Sequence, residues 1–151
     1  MKNDTAPEMA RILLIEDNAA DVDLMRYALD KEHFRYELRT LQDGAEALAF
    51  IRREGKYAHA AQPGLIVMDL HLPKNDGMEV LKELRGNAEF ADLPVAVLSS
   101  SVSPEEKSEV AAFKATCYIT KPGDLAEFLK VGKRIKQMAL AGNAHGAGAG
   151  S

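Results

Sequence analysis

The sequence predicts an α/β fold, an open and doubly wound parallel sheet of five strands covered by five helices. The main observation is that short apolar runs alternate with segments in which apolar residues recur at helical spacing. The runs are too short for helices, and such continuous apolarity is typical of parallel strands buried on both faces. Parallel strands also need crossover connections, and helical crossovers cover both faces of the sheet.

Length and composition indicate one soluble, globular domain. The 151 residues are 46% hydrophobic and 28% charged, which is ordinary for such a protein. One cysteine, Cys117, excludes an intramolecular disulfide and a multi-cysteine metal site. The net charge of −4 and the lack of a dense basic run disfavour direct binding to nucleic acid. Since the chain shows neither a membrane-spanning run nor a signal-peptide core, we expect a cytoplasmic protein.

The first half of the chain contains two strand–helix units. The apolar run 12–15 predicts the first strand, and Asn18, a good helix cap, precedes an amphipathic helix. The β-prone segment 36–41 predicts the second strand, after which Gly44 opens a helix. Residues 55–64 have no clear period and end in a Pro–Gly pair, so we expect a surface connection there.

Three more strands and helices follow. Strands are predicted over 65–68, 95–98 and 117–120, and a loop over 72–77 leads into the third helix. Capping-box spacing marks the starts of the last two helices, at Ser103 and at Asp124. We therefore expect an N-terminal extension over 1–10 and one domain over 11–141. The remaining residues, 142–151, are only Gly, Ala, Asn, His and Ser and are expected to form a disordered tail.

Polar side chains follow four of the predicted strands. The first strand ends in Glu16 and Asp17, the third in Asp69 and the fourth in Ser99, while the fifth leads into Lys121. In an open parallel sheet, the functional crevice lies outside the carboxyl ends of the strands. The sequence therefore predicts that three carboxylates, a hydroxyl and an ammonium group meet at one edge of the sheet.

Three neighbouring carboxylates repel one another unless protons or a cation neutralise them. A site made only of oxygen ligands favours a hard cation, and a few carboxylates with water suit Mg²⁺, which Mn²⁺ can replace. Such a metal can neutralise the oxygens of a phosphoryl group during its transfer. Asp69 is the best candidate for the nucleophile, since carboxylates form aspartyl phosphates and it follows the most apolar strand. Lys121 and Ser99 would then contact phosphoryl oxygens.

At these residues the sequence resembles the receiver domain of two-component response regulators, over about residues 11–140. The resemblance implies a flavodoxin-like sheet of order 2-1-3-4-5 and phosphorylation of Asp69 by a histidine kinase. It implies Mg²⁺ ligation by Glu16, Asp17, Asp69 and the backbone oxygen of His71. It also implies that Lys121 contacts the phosphoryl group, that Ser99 and Tyr118 act as switch residues, and that the Lys121–Pro122 bond is cis.

Segments 52–57 and 117–122 resemble the small stand-alone receivers that serve phytochrome histidine kinases. Nothing after residue 140 is suited to an output domain, so we expect the signal to leave by docking to another protein or by onward phosphotransfer to a phosphotransfer protein. The last helices resemble the docking and dimer surface of the family, which makes a homodimer a further expectation. We expect a phosphoacceptor switch and not an enzyme with a separate substrate.

Three other functions fit parts of this pattern. An aspartyl-phosphate phosphatase normally has a second acid two residues after the nucleophile, but His71 occupies that position. A flavin carrier would offer hydroxyls and amides to a phosphate in its first loop, where Glu16 and Asp17 would repel one. A scaffold that works without phosphate would not need the intact acidic set.

Overall fold

The structure, a computed structural model, describes residues 9–73, 76–101 and 103–149, with side chains described as far as residue 141. Within these ranges five parallel strands form one sheet of order β2-β1-β3-β4-β5, which confirms the predicted flavodoxin-like topology. The strands are β1 Ala10–Ile15, β2 Tyr36–Leu41, β3 Leu65–Met68, β4 Val95–Ser99 and β5 Cys117–Thr120. The helices are α1 Ala19–Asp30, α2 Gly44–Ile51, α3 Gly77–Gly86, α4 Pro104–Ala112 and α5 Leu125–Ala149.

Short polar side chains begin the helices, as the sequence predicts. The side chain of Asn18 accepts a hydrogen bond from the backbone of Asp21, and Ser103 caps α4 in the same way. Before α5, the Asp124 carboxylate accepts from the backbone N–H of Glu127 at 2.8 Å. These caps fix where each helix starts relative to the strand before it.

The structure corrects three details of the sequence reading. The connection 55–64 contains a short 3-10 helix, Gly55–Tyr57, whose Tyr57 is buried because its ring packs edge-on against Phe50. The α5 backbone stays helical to Ala149, where we expected a disordered tail, since a helix that has already formed extends at little cost. The Lys121–Pro122 bond is trans, the form that X–Pro bonds favour by about 0.5–1 kcal/mol.

The sheet lies between two apolar layers. One layer packs α2, α3 and α4 against side chains such as Ile15, Ile66 and Met68, and the other packs α1 and α5 against Ile12, Leu14 and Val67. Every residue of β3 is buried. Because both faces of β1 and β3 are covered, the positions at which these strands end are firmly fixed.

Gly77 begins α3 in close contact with the backbone of Leu70, just after β3. A Cβ on Gly77 would lie 2.5 Å from the Leu70 Cα and 2.6 Å from its carbonyl oxygen. Gly77→Ala is therefore expected to push the loop away from α3 and to lower the free energy of unfolding in urea by about 1–3 kcal/mol. The control is Gly86→Ala in the same helix, where an added Cβ meets no atom within 4 Å. Equal stability of the two variants would contradict this account of the contact.

Candidate functional site

Three carboxylates lie together where β1 and β3 end. The two strands are hydrogen-bonded neighbours, with Ile15 paired to Met68, so the residues that follow them are adjacent. One carboxylate oxygen from each of Glu16, Asp17 and Asp69 lies within 4.8 Å of the others. Glu16 and Asp69 are buried, at 3% and 7% exposure, whereas Asp17 is exposed. The predicted meeting of three carboxylates at this edge of the sheet is therefore present.

Lys121 lies among these carboxylates as their counter-ion. Its Nζ donates hydrogen bonds to Asp69 Oδ2 at 2.8 Å, to Glu16 Oε1 at 2.9 Å and to Asp21 Oδ2 at 2.9 Å. Burial disfavours the charged ammonium, but the hydrogen bonds to the three carboxylates outweigh burial and raise the pKa of Lys121. Lys121 is therefore a fixed positive charge directly beside Asp69.

Asp21 is a functional-site residue that the sequence reading missed. It lies in the first turn of α1, four residues after Asp17, and its side chain is half-buried against Lys121. The signal available in the sequence was its place in the first turn of α1, three residues after the cap Asn18, which keeps it close to the end of β1.

Burial is the largest influence on the pKa of Glu16. Loss of hydration raises the pKa of its carboxyl group, while the hydrogen bond from Lys121 and that from the backbone N–H of Asn18 act in the opposite direction. The Asp69 charge adds to the rise. An additional positive charge nearby would stabilise the ionised form of this carboxyl group.

The donor set fits a hard divalent cation. The three clustered carboxylates supply oxygen ligands, and among the described residues no other His, Cys, Asp or Glu cluster of this kind occurs. Oxygen-only ligation is typical of Mg²⁺, Mn²⁺ and Ca²⁺ sites. Asp17 is open to solvent, which leaves one side of the cluster accessible to an ion and its water.

Ser99 is the last residue of β4, and Tyr118 lies within the neighbouring strand β5. Ser99 is fully buried, and its Oγ donates a hydrogen bond to Glu106 Oε2 at 3.0 Å. The Tyr118 hydroxyl lies 2.6 Å from the same Oε2 and 2.9 Å from the carbonyl oxygen of Ser101. Burial and the Glu106 carboxylate raise the pKa of Tyr118, so the hydroxyl keeps its proton. The two predicted switch residues therefore share one acceptor, Glu106.

His71 follows Asp69 by two residues and contacts it through the backbone. The His71 N–H donates to Asp69 Oδ1 at 2.9 Å, which orients the carboxylate. The His71 side chain is exposed, and its Nε2 lies 3.1 Å from Glu106 Oε1. Ligation of a metal by the backbone oxygen of His71 stays a prediction.

The fold and the site define the class of protein: the chain belongs to the family of response regulator receiver domains. The sequence model of that family, described as the response regulator receiver domain, matches residues 12–132. Within the described residues, no helix is both long enough and apolar enough to cross a membrane.

Individual proteins are similar to most of the chain. The response regulator Rcp1 of Synechocystis sp. is 36% identical over 129 residues, which are 85% of this chain and 88% of Rcp1. The phosphorylated cyanobacterial phytochrome response regulator RcpA aligns with a TM-score of 0.83 and 39% identity, covering 88% of this chain and 95% of RcpA. The Mn²⁺-bound form of Rcp1 aligns with a TM-score of 0.79 and 36% identity, covering 84% and 91% of the two chains.

Proposed function

We propose that the chain is a phosphorylation switch in which Asp69 accepts a phosphoryl group from a histidine kinase. The observation that carries the proposal is the Lys121 ammonium, which lies 2.8 Å from the buried Asp69 carboxylate beside two further acids. An oxygen of Asp69 attacks the phosphorus of a phosphohistidine, an O–P bond forms and the N–P bond breaks. The leaving imidazole takes up a proton, and the product is an aspartyl phosphate.

In this proposal the cation is Mg²⁺, with Mn²⁺ as a substitute. Glu16, Asp17, Asp69 and the backbone oxygen of His71 would hold it. When bound, it neutralises the oxygens of the transferred phosphoryl group. Lys121 contacts another phosphoryl oxygen, and Asp21 keeps the ammonium in place when Asp69 is modified.

Phosphorylation then changes the surface next to the site. Ser99 turns its hydroxyl toward a phosphoryl oxygen, and Tyr118 adjusts with it because both contact Glu106. The new surface near β5, α4 and α5 alters binding to a downstream protein, or the phosphoryl group passes on to a phosphotransfer protein. In this proposal the chain catalyses only its own phosphorylation and dephosphorylation. It therefore acts as a phosphoacceptor switch and not as an enzyme with a separate substrate.

The proposed kinase is of the phytochrome type. The similarity to RcpA, a phytochrome response regulator, and to the bacteriophytochrome response regulator RtBRR, at 30% identity and a TM-score of 0.70, supports this assignment. In this proposal the exchange takes place in the cytoplasm. A homodimer through the last helices is part of the proposal, since Leu125 and Leu140 of α5 are 49% and 40% exposed.

Intact-mass analysis after incubation with acetyl phosphate tests the proposal. We expect the protein to gain the mass of one phosphoryl group in Mg²⁺ and not in a chelator, and Asp69→Asn to gain none. Asp23→Asn, which removes an exposed carboxylate from α1, is the matched control and should behave like the unaltered protein. A mass gain in Asp69→Asn, or no gain in the unaltered protein, would contradict the proposed function.

A further inference from the structure

Glu106 of α4 connects three elements of the site through one carboxylate. Its Oε2 accepts from Ser99 at the end of β4 and lies 2.6 Å from the hydroxyl of Tyr118 in β5. Its Oε1 lies 3.1 Å from Nε2 of His71, in the loop after β3. The Glu106 side chain is 15% exposed, whereas that of His71 is exposed, so the contacts with Ser99 and Tyr118 are the better shielded ones.

The local sequence assigns a different partner to this side chain. In a capping box, the acid three residues after the cap bonds the N–H of the cap residue. Here the Ser103 N–H donates instead to Ser101 Oγ at 3.1 Å, although Ser103 Oγ still accepts from the Glu106 N–H at 3.3 Å. The Glu106 carboxylate is thereby free to face the sheet, where it receives the two hydroxyls.

The Ser99 hydroxyl has a single proton to donate. In the structure that proton goes to Glu106, whereas the proposed switch requires it to go to a phosphoryl oxygen on Asp69. The two acceptors therefore compete for one donor. A carboxylate is a strong acceptor, and a buried hydroxyl cannot turn to water in exchange.

We propose that Glu106 is a positioning residue that holds Ser99 in its unphosphorylated orientation and so sets how readily the switch responds. The inference rests on the proposed function of Asp69. The contact with Glu106 favours the resting population, and the phosphoryl group must overcome it before Ser99 turns. Because Tyr118 shares the same carboxylate oxygen, release of Ser99 also changes the hydrogen bonding of Tyr118.

Binding of beryllofluoride in the presence of Mg²⁺, followed by fluorine NMR, tests this role. Beryllofluoride mimics the phosphoryl group of an aspartyl phosphate. Glu106→Ala is expected to lower its apparent Kd about two- to tenfold, the range that corresponds to one net hydrogen bond. Glu106→Gln keeps the shape of the side chain and should give a smaller decrease. Glu109→Ala removes an exposed acid of the same helix and should change the Kd less than twofold.

The decisive comparison is made in a Ser99→Ala background. If Glu106 acts by holding the Ser99 hydroxyl, adding Glu106→Ala to Ser99→Ala should leave the Kd unchanged. A decrease that persists without Ser99, or one that Glu109→Ala reproduces, would show a general effect of charge and overturn the proposal. An unchanged Kd for Glu106→Ala alone would also overturn it. Failure of the unaltered protein to bind beryllofluoride would instead contradict the proposed function of Asp69.

Discussion

Replacing Lys121 by alanine is expected to lower the free energy of unfolding by about 3–5 kcal/mol at neutral pH in a chelator, the usual cost of removing one partner of a buried ion pair. The ammonium lies within 2.9 Å of three carboxylates, two of which are buried. Without it, these acids repel one another and have no counter-ion. Mg²⁺ should restore much of the loss, because a cation that binds only the folded protein stabilises it. Urea denaturation with and without Mg²⁺ measures both effects.

The same variant should depend on pH in a defined direction. Burial already raises the pKa of Glu16 in the folded protein, and loss of Lys121 removes a group that opposes this rise. A carboxyl whose pKa is higher in the folded than in the unfolded state costs stability as the pH rises through the folded value. The destabilisation of Lys121→Ala should therefore shrink as the pH falls toward the ordinary range of glutamate.

Lys130→Ala is the matched control for Lys121→Ala. Lys130 contacts Glu127 at 2.8 Å on the exposed side of α5, and both side chains are more than half exposed. Exposed ion pairs contribute little to stability, so this variant should remain close to the unaltered protein and should not respond to Mg²⁺. Equal effects of the two substitutions would contradict the role assigned to Lys121.

A second large loss of stability is expected for Arg85→Ala, in α3. The Arg85 guanidinium donates to five backbone carbonyls of the α3–β4 and α4–β5 connections, at 2.8–3.2 Å: those of Phe90, Ala91, Leu93, Phe113 and Lys114. Substitution removes a charged donor that these carbonyls share, and we expect a decrease of about 2–4 kcal/mol in urea denaturation. Arg85→Lys should recover only part of it, since an ammonium has three donors and lacks the planar fork.

Arg52→Ala provides the comparison for Arg85→Ala. Arg52 forms a two-point pair with Glu83 at 2.5 and 2.9 Å, but it lies at the surface. Because this pair is open to solvent, its removal should lower the stability much less than the removal of Arg85. If Arg85→Lys were as stable as the unaltered protein, the planar guanidinium would not be needed to hold the two connections together, which would contradict this account.

The strand ends and the residues that follow them could be predicted from the sequence. Continuous apolar runs such as 65–68 have few alternatives to a buried parallel strand, and the ends of parallel strands meet at one edge. The sequence alone therefore predicts that Asp69, Glu16 and Lys121 lie together. Their positions follow from the backbone topology and need no knowledge of side-chain packing.

The helical members of the site were harder to predict. Asp21 and Glu106 lie in the first turns of α1 and α4, where acids are common because they favour the helix dipole and the cap. The helix dipole and the cap are enough to explain an acid at each position. The sequence therefore provides no reason to expect a further contact with another part of the fold. Glu106 in particular fits a capping box, yet its carboxylate faces Ser99 and Tyr118. Such a choice between a local and a tertiary partner depends on how the helix packs on the sheet.

The measurement that tests the central claim most directly is to locate the phosphoryl group on the chain. Borohydride reduces an aspartyl phosphate to homoserine, which peptide mass spectrometry can assign to one residue. After treatment with acetyl phosphate and Mg²⁺, we expect homoserine at position 69 and unmodified aspartate at positions 17 and 21. Homoserine at another position, or phosphorylated protein with unreduced Asp69, would contradict the account.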